Sequence, residues 1–195
     1  MNAAKVSAEG THNHPEGIKG AQATAMCIFL ARKGASKDEI QQCMEQEFGY
    51  RFPLTIAELQ KRYSWNGVDR EGNGGICQDS VPQAIQCALQ ATDFEDAVRN
   101  AISIGGDSDT IGCITGSIAE ALYGVPANMC EKAMTYLPRT SRNWLLSLKR
   151  NTEVDCVKQK EDDFPGKIHL GGQYAFPRWR EGTFFEGAQQ EMAPQ

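Results

Sequence analysis

The sequence predicts an all-α fold, and three observations carry that reading. Apolar residues return every three or four positions in nearly every periodic stretch, the spacing that lines one face of a helix. Short glycine and proline punctuation separates the stretches. Ser36 with Glu39 and Thr55 with Glu58 form the Ser/Thr-x-x-Glu pattern, in which a hydroxyl and a carboxylate satisfy each other's orphan N–H groups at a helix start. Helices striped in this way bury their apolar faces against one another, which makes a bundle.

Taken in order, residues 1–9 form a short helix-compatible segment. Thr11 to Gly17 is a polar loop, where Pro15 steers His14 away from helical backbone. Ile18 to Lys33 reads as a buried, alanine-rich helix closed by Gly34. Ser36 opens the next, with Ile40, Cys43, Met44 and Phe48 on its inner face. Thr55 opens a short helix from Ile56 to Tyr63. Asn66 to Asp79 is glycine-rich and irregular, and a loop of that length in a compact domain is usually functional or mobile. Ser80-Val81-Pro82 is expected to start a helix with Pro in its first turn, where a missing N–H costs little. Its inner face is Ile85, Ala88 and Leu89. Asp93 opens another, with Phe94, Ala97, Val98 and Ala101 on one side. A long run from Ile111 to Tyr123 carries Ile111, Ile114, Ile118 and Leu122. Gly112 and Gly116 weaken that helix intrinsically, so a close neighbouring helix and a central position are expected for it. Pro126 starts a helix to about Leu137, and Pro138 the next, to about Leu148. From Lys149 the composition changes, first to charge and then to glycine mixed with Tyr174, Phe176, Trp179, Phe184 and Phe185. We expect a helical domain over 1–148 and a C-terminal extension over 149–195, irregular or hairpin-like.

The totals exclude several classes. A chain of 195 residues is long enough for one domain with a real core. A net charge of −5 argues against nucleic acid or an anionic membrane as partner. No apolar run approaches a membrane span, and the N-terminus lacks the basic-then-apolar pattern of a signal peptide. There are seven cysteines. Cys27, Cys43, Cys87, Cys113 and Cys130 fall inside helix-like runs and are expected to be reduced core residues of a cytoplasmic protein.

The chemistry points to one stretch, Gly105-Gly106-Asp107-Ser108-Asp109-Thr110-Ile111. Paired glycines let the backbone turn tightly and approach a ligand. The helix that follows presents unpaired N–H groups and partial positive charge. Asp107, Asp109 and Thr110 offer only oxygen, which suits Mg²⁺ or Mn²⁺ better than zinc. The plain alternative is a helix cap, with Asp107 or Ser108 at the N-cap. A haloacid-dehalogenase motif fails because position 111 is Ile, and an EF-hand fails for want of its later ligands. His12-x-His14 lacks the preceding strand and the barrel of about 250 residues that an amidohydrolase pair needs. His14 reads as a loop brace and Glu16 as a first-turn acid.

Four stretches together are similar to the ADP-ribosylglycohydrolase family and occur in its order. They are Thr11-His12-Asn13-His14-Pro15-Glu16-Gly17, Asp79-Ser80-Val81-Pro82-Gln83-Ala84, Asp93-Phe94-Glu95-Asp96-Ala97, and the Gly105–Ile111 stretch. The resemblance covers about residues 1–148. It implies a multi-helix orthogonal bundle that holds two Mg²⁺ or Mn²⁺ ions and hydrolyses the glycosidic bond between ADP-ribose and an acceptor. It implies that Asp107, Asp109 and Thr110 are metal ligands. It further implies that His12, Ile76, Cys77, Gly105 and Gly106 line the site for ADP-ribose or an ADP-ribosylated substrate.

Family members also carry an earlier segment with a Gly-Asp-x-x-Gly stretch, a further Asp-Asp-Thr metal motif and a phosphate-binding loop, and none of these occurs in this chain. The expectation is therefore a bundle truncated at its N-terminus, with half of the metal ligands and the catalytic acid absent. Activity would then require that segment in trans, and the exposed faces would favour a homo-oligomer or a separately encoded N-terminal half. The alternative is an inactive ADP-ribose-binding or structural remnant of the same fold.

Overall fold

The computed structural model describes residues 2–61 and 76–147. Among them every regular element is an α-helix, as the periodicity predicts. The helices are α1 (Asn2–Glu9), α2 (Pro15–Arg32), α3 (Lys37–Phe48), α4 (Ile56–Lys61), α5 (Cys77–Gln90), α6 (Phe94–Ser103), α7 (Ser108–Tyr123) and α8 (Ala127–Tyr136). All belong to one unit, Met1–Leu137. A second unit begins at Pro138, and its described part is helical over 139–147. The expected extension over 149–195 lies outside the described residues.

The helix starts follow their chemistry. At α3, Ser36 and Glu39 make the reciprocal capping box, and Thr55 and Glu58 repeat it before α4, with the Thr55 N–H donating to Glu58 Oε2 at 2.7 Å. Asp93 caps α6 by accepting the Asp96 N–H. Two starts lie earlier than expected. α2 begins at Pro15 rather than Ile18, because the fixed φ of proline suits a first helical position and His14 serves as cap. α5 begins at Cys77 rather than Ser80, which leaves Pro82 inside the helix instead of in its first turn. The missing N–H of Pro82 removes one intrahelical bond there.

α7 packs against α2, α5 and α6, and α5 in turn packs against α2, α4 and α6. The main core cluster joins Ala23 and Cys27 of α2, Ile40, Cys43 and Met44 of α3, Val81, Ile85, Ala88 and Leu89 of α5, and Ile118 of α7, together with Tyr50. A second cluster lies on the other side of α5, where Ala84 and Cys87 meet Leu59, Ala101, Ile104 and Ile111. Each large side chain removed from water contributes about 1.5–3 kcal/mol, so these two clusters fix α5 and α7 as the frame of the unit. Polar bonds set their register. Thr115 Oγ1 donates to the Ala84 carbonyl at 3.0 Å. Tyr123 Oη shares its one O–H between the carbonyls of Ala88 and Ala91, at 2.9 and 2.8 Å.

Two expectations need correction. Cys27, Cys43 and Cys87 are buried, but Cys113 and Cys130 are exposed. Cys113 falls on the face of α7 that carries Asp109, Ser117 and Glu120 to solvent, and α8, which holds Cys130, buries no residue. The two glycines of α7 also differ. A Cβ at Gly112 would lie 3.4 Å from Ile102 Cδ1 of α6, whereas one at Gly116 would meet nothing within 4 Å. Of these two, Gly112 marks a close helix approach and Gly116 does not.

Candidate functional site

The α6–α7 corner is built by two glycines. Gly105 and Gly106 both have φ of +75°, in the left-handed region where a Cβ is strained. A Cβ at Gly106 would find ordinary contact with Ile111 Cδ1 at 3.6 Å, so the backbone conformation rather than space requires glycine. The corner brings Asp107 to the N-cap position of α7, yet its carboxylate makes no capping bond. The Ser108 hydroxyl points back to the Gly106 carbonyl at 3.4 Å and caps nothing either. The cap reading therefore does not describe these side chains.

Asp107 turns instead toward Asp109. Side-chain hydrogen bonding with Asp107, then the backbone N–H of Thr110 and its own N–H, hold Asp109 below the usual carboxylate range. The Thr110 N–H donates to Asp109 Oδ1 at 3.0 Å. Asp107 is half-buried, while Asp109 and Thr110 face solvent. Among the described residues no group of three or more His, Cys, Asp and Glu side chains is arranged to hold a metal ion. What the corner offers is two carboxylates and a hydroxyl at the positive end of a helix.

His12 sits on the turn before α2. The Thr11 and His12 N–H groups donate to the Ala8 carbonyl at 3.1 and 2.7 Å, and His12 Nδ1 lies 2.8 Å from Thr11 Oγ1. Gly17 allows this turn to rest on the first turn of α2, since a Cβ there would lie 2.9 Å from the His12 carbonyl oxygen. His14 braces the same turn, its Nδ1 accepting the Glu16 N–H at 3.2 Å. Glu16 lies in the first turn of α2 and pairs with Lys19 at 3.6 Å. At the start of α5, Ile76 is exposed and occupies an N-cap position without a side-chain cap, and Cys77 is half-buried.

Two of these places are joined by packing. A Cβ at Gly20, early in α2, would lie 3.0 Å from Val81 and 3.7 Å from Cys77, early in α5. α5 and α7 run in the same sense, since Thr115 meets Ala84 and Tyr123 meets Ala88 and Ala91. The starts of α5 and α7 thus face the same way, and an early turn of α2 lies beside the start of α5. Sequence reasoning missed Tyr50, whose hydroxyl is buried with no hydrogen-bond partner among the described residues. Its only signal is an aromatic just after the αL cap Gly49, which nothing separates from an ordinary core residue.

Residues 1–161 match the family described as ADP-ribosylglycohydrolase. The chain is similar to the ADP-ribosylhydrolase ARH3 of Bos taurus, 31% identical over 193 residues, with 80% of this chain and 50% of that protein covered. The Homo sapiens ARH3 gives the same figures. The ADP-ribosylarginine hydrolase Tri1 of Pseudomonas putida (strain GB-1) is 29% identical over 115 residues, covering 59% of this chain and 30% of that protein. The chain thus spans about half the length of the ARH3 proteins it matches. No solved structure matches it. No helix among the described residues is long and apolar enough to cross a membrane.

Proposed function

Because the chain belongs to the ADP-ribosylglycohydrolase family, we propose that it acts on ADP-ribose joined to an acceptor, and that Asp107, Asp109 and Thr110 supply one side of a Mg²⁺ or Mn²⁺ centre. The observation that carries this reading is that Asp107 stands at the N-cap position of α7 with its carboxylate making no capping bond, within one turn of Asp109 and Thr110. Two carboxylates held together repel when both are ionised, and a divalent cation relieves that repulsion. The donor set is all oxygen, as hard cations require. With few protein carboxylates, such an ion is completed by water and by substrate oxygens.

The remaining residues bind rather than react. The starts of α5 and α7 offer N–H donors and partial positive charge to a diphosphate. Gly105 and Gly106 carry no side chain, so the backbone can approach a ribose closely. His12, exposed on its turn, offers an imidazole to the same ligand. Asp107, Asp109 and Thr110 would hold the cation, which would supply Lewis-acid assistance to hydrolysis at the ribose C1, a cleavage that passes through an oxocarbenium-like state. A second reading, a non-catalytic ADP-ribose binder of the same fold, is favoured by the bond from the Thr110 N–H to Asp109 Oδ1, which engages that carboxylate without an ion.

Calorimetry with ADP-ribose and Mg²⁺, paired with an assay for ADP-ribose released from an ADP-ribosylated peptide, separates the readings. Binding that Mg²⁺ strengthens, and that the Asp107→Asn, Asp109→Asn double variant makes insensitive to Mg²⁺, is expected. Turnover assigns the enzyme, and binding alone assigns the binder. Failure to bind ADP-ribose at any Mg²⁺ concentration would overturn both.

A further inference from the structure

Tyr50 lies at the seam of α2 and α5 and is 6% exposed. Its ring stacks on Phe48 at 6.2 Å, and the Lys19 ammonium sits 4.9 Å from the ring centroid. Tyr50 belongs to the main core cluster, against which Cys77 of α5 packs. Its hydroxyl has no hydrogen-bond partner among the described residues. An unsatisfied buried hydroxyl is costly, and Phe would fill the same space without it. Lys19, early in α2, sits on the ring and Cys77 opens α5, so Tyr50 lies beside the first turns of both helices; burial, followed by Glu16, Cys77 and Cys27, pushes its phenol up to about 12. The His12 turn and Ile76 lead into those two helices.

We infer that Tyr50 is a specificity-determining residue whose hydroxyl hydrogen-bonds an oxygen of bound ADP-ribose. The inference rests on the ADP-ribose reading proposed above. Uncovering the hydroxyl takes a side-chain rearrangement at the start of α5, where Ile76 is exposed and Cys77 half-buried, and rearrangements of that size are common on binding. The ligand then supplies the partner that the free protein lacks.

Tyr50→Phe tests this with two readouts on the 195-residue chain, thermal unfolding and calorimetric titration with ADP-ribose in Mg²⁺. The expected result is an unfolding temperature equal to or above that of the parent, with affinity about three- to ten-fold weaker, the value of one net hydrogen bond. A variant that unfolds earlier and binds equally well would show that the hydroxyl is paired within the protein, and would overturn the inference. Equal affinity and equal stability would overturn it too, and the family reading would stand because the parent binds. Binding by neither protein would overturn both.

Discussion

Two aspartates at helix N-caps make the residue-scale case. Asp93 and Asp107 occupy the same position at the starts of α6 and α7, and only Asp93 accepts a backbone N–H through its side chain. Asp93→Ala therefore orphans the Asp96 N–H and is expected to cost about 0.5–2 kcal/mol of folding stability. Asp107→Ala removes no capping bond and leaves the Thr110 N–H bonded to Asp109, so its effect on the metal-free protein is expected to stay within about 0.5 kcal/mol. Urea unfolding of both variants without divalent cations checks the contrast. Equal losses would mean that Asp107 caps after all, and its assignment to a cation would lose its physical basis. Sequence alone cannot make this distinction. Asp93 and Asp107 both precede a helical run, and what separates them is the Gly105–Gly106 backbone, whose two positive φ values set how α7 is entered.

Glycines carry the argument at the scale of the helices. Gly20 lets α2 and α5 approach, and a Cβ there would lie 3.0 Å from Val81 Cγ2, closer than side chains ordinarily come. Gly116 lies in α7, where a Cβ would meet nothing within 4 Å. Gly116→Ala is expected to stabilise the protein by up to about 1 kcal/mol, the helix propensity gained. Gly20→Ala gains the same propensity but must part the α2–α5 seam, where overpacking costs about 1–3 kcal/mol, so a net loss is expected. Thermal unfolding of the two variants gives opposite signs if the packing is as described, and a gain from both would contradict the close seam. Helix existence was legible because the apolar stripes and the Ser36 and Thr55 boxes are local signals. Which glycine faces a neighbour was not, since Gly112 and Gly116 share one spacing pattern and differ only in what the rest of the chain places beside them. The same holds for Cys113, which the run of helix marks as core and the polar face of α7 turns to solvent.

Across the whole unit, the buried ionisable groups set how stability responds to alkali. Burial pushes the Cys27 and Cys87 thiols from 9.0 up to about 12, with Cys43 adding to the shift at Cys27. Tyr50 is pushed from 10.0 to about 12. In each case the folded state holds the proton more tightly than the unfolded chain does. Between pH 9 and 12 the unfolded chain therefore binds fewer protons, and stability falls as pH rises. Below pH 9 these groups are protonated in both states and contribute no slope. Each fully responding group adds about 1.4 kcal/mol of loss per pH unit inside the window. Urea midpoints are expected to be level with respect to these groups up to about pH 9, then to drop progressively, with Tyr50 joining from about pH 10. Cys87→Ser would not isolate the effect, because it replaces the thiol with another buried polar group, whereas Cys87→Ala removes the titration at the cost of a small cavity. The Cys87→Ala variant should start lower and decline less steeply above pH 9 than the parent. Identical slopes would mean that Cys87 is reachable by solvent in the native state, and the cluster it shares with Ala84, Ala101, Ile104 and Ile111, which anchors the Asp107 corner from beneath, would not be the closed core described.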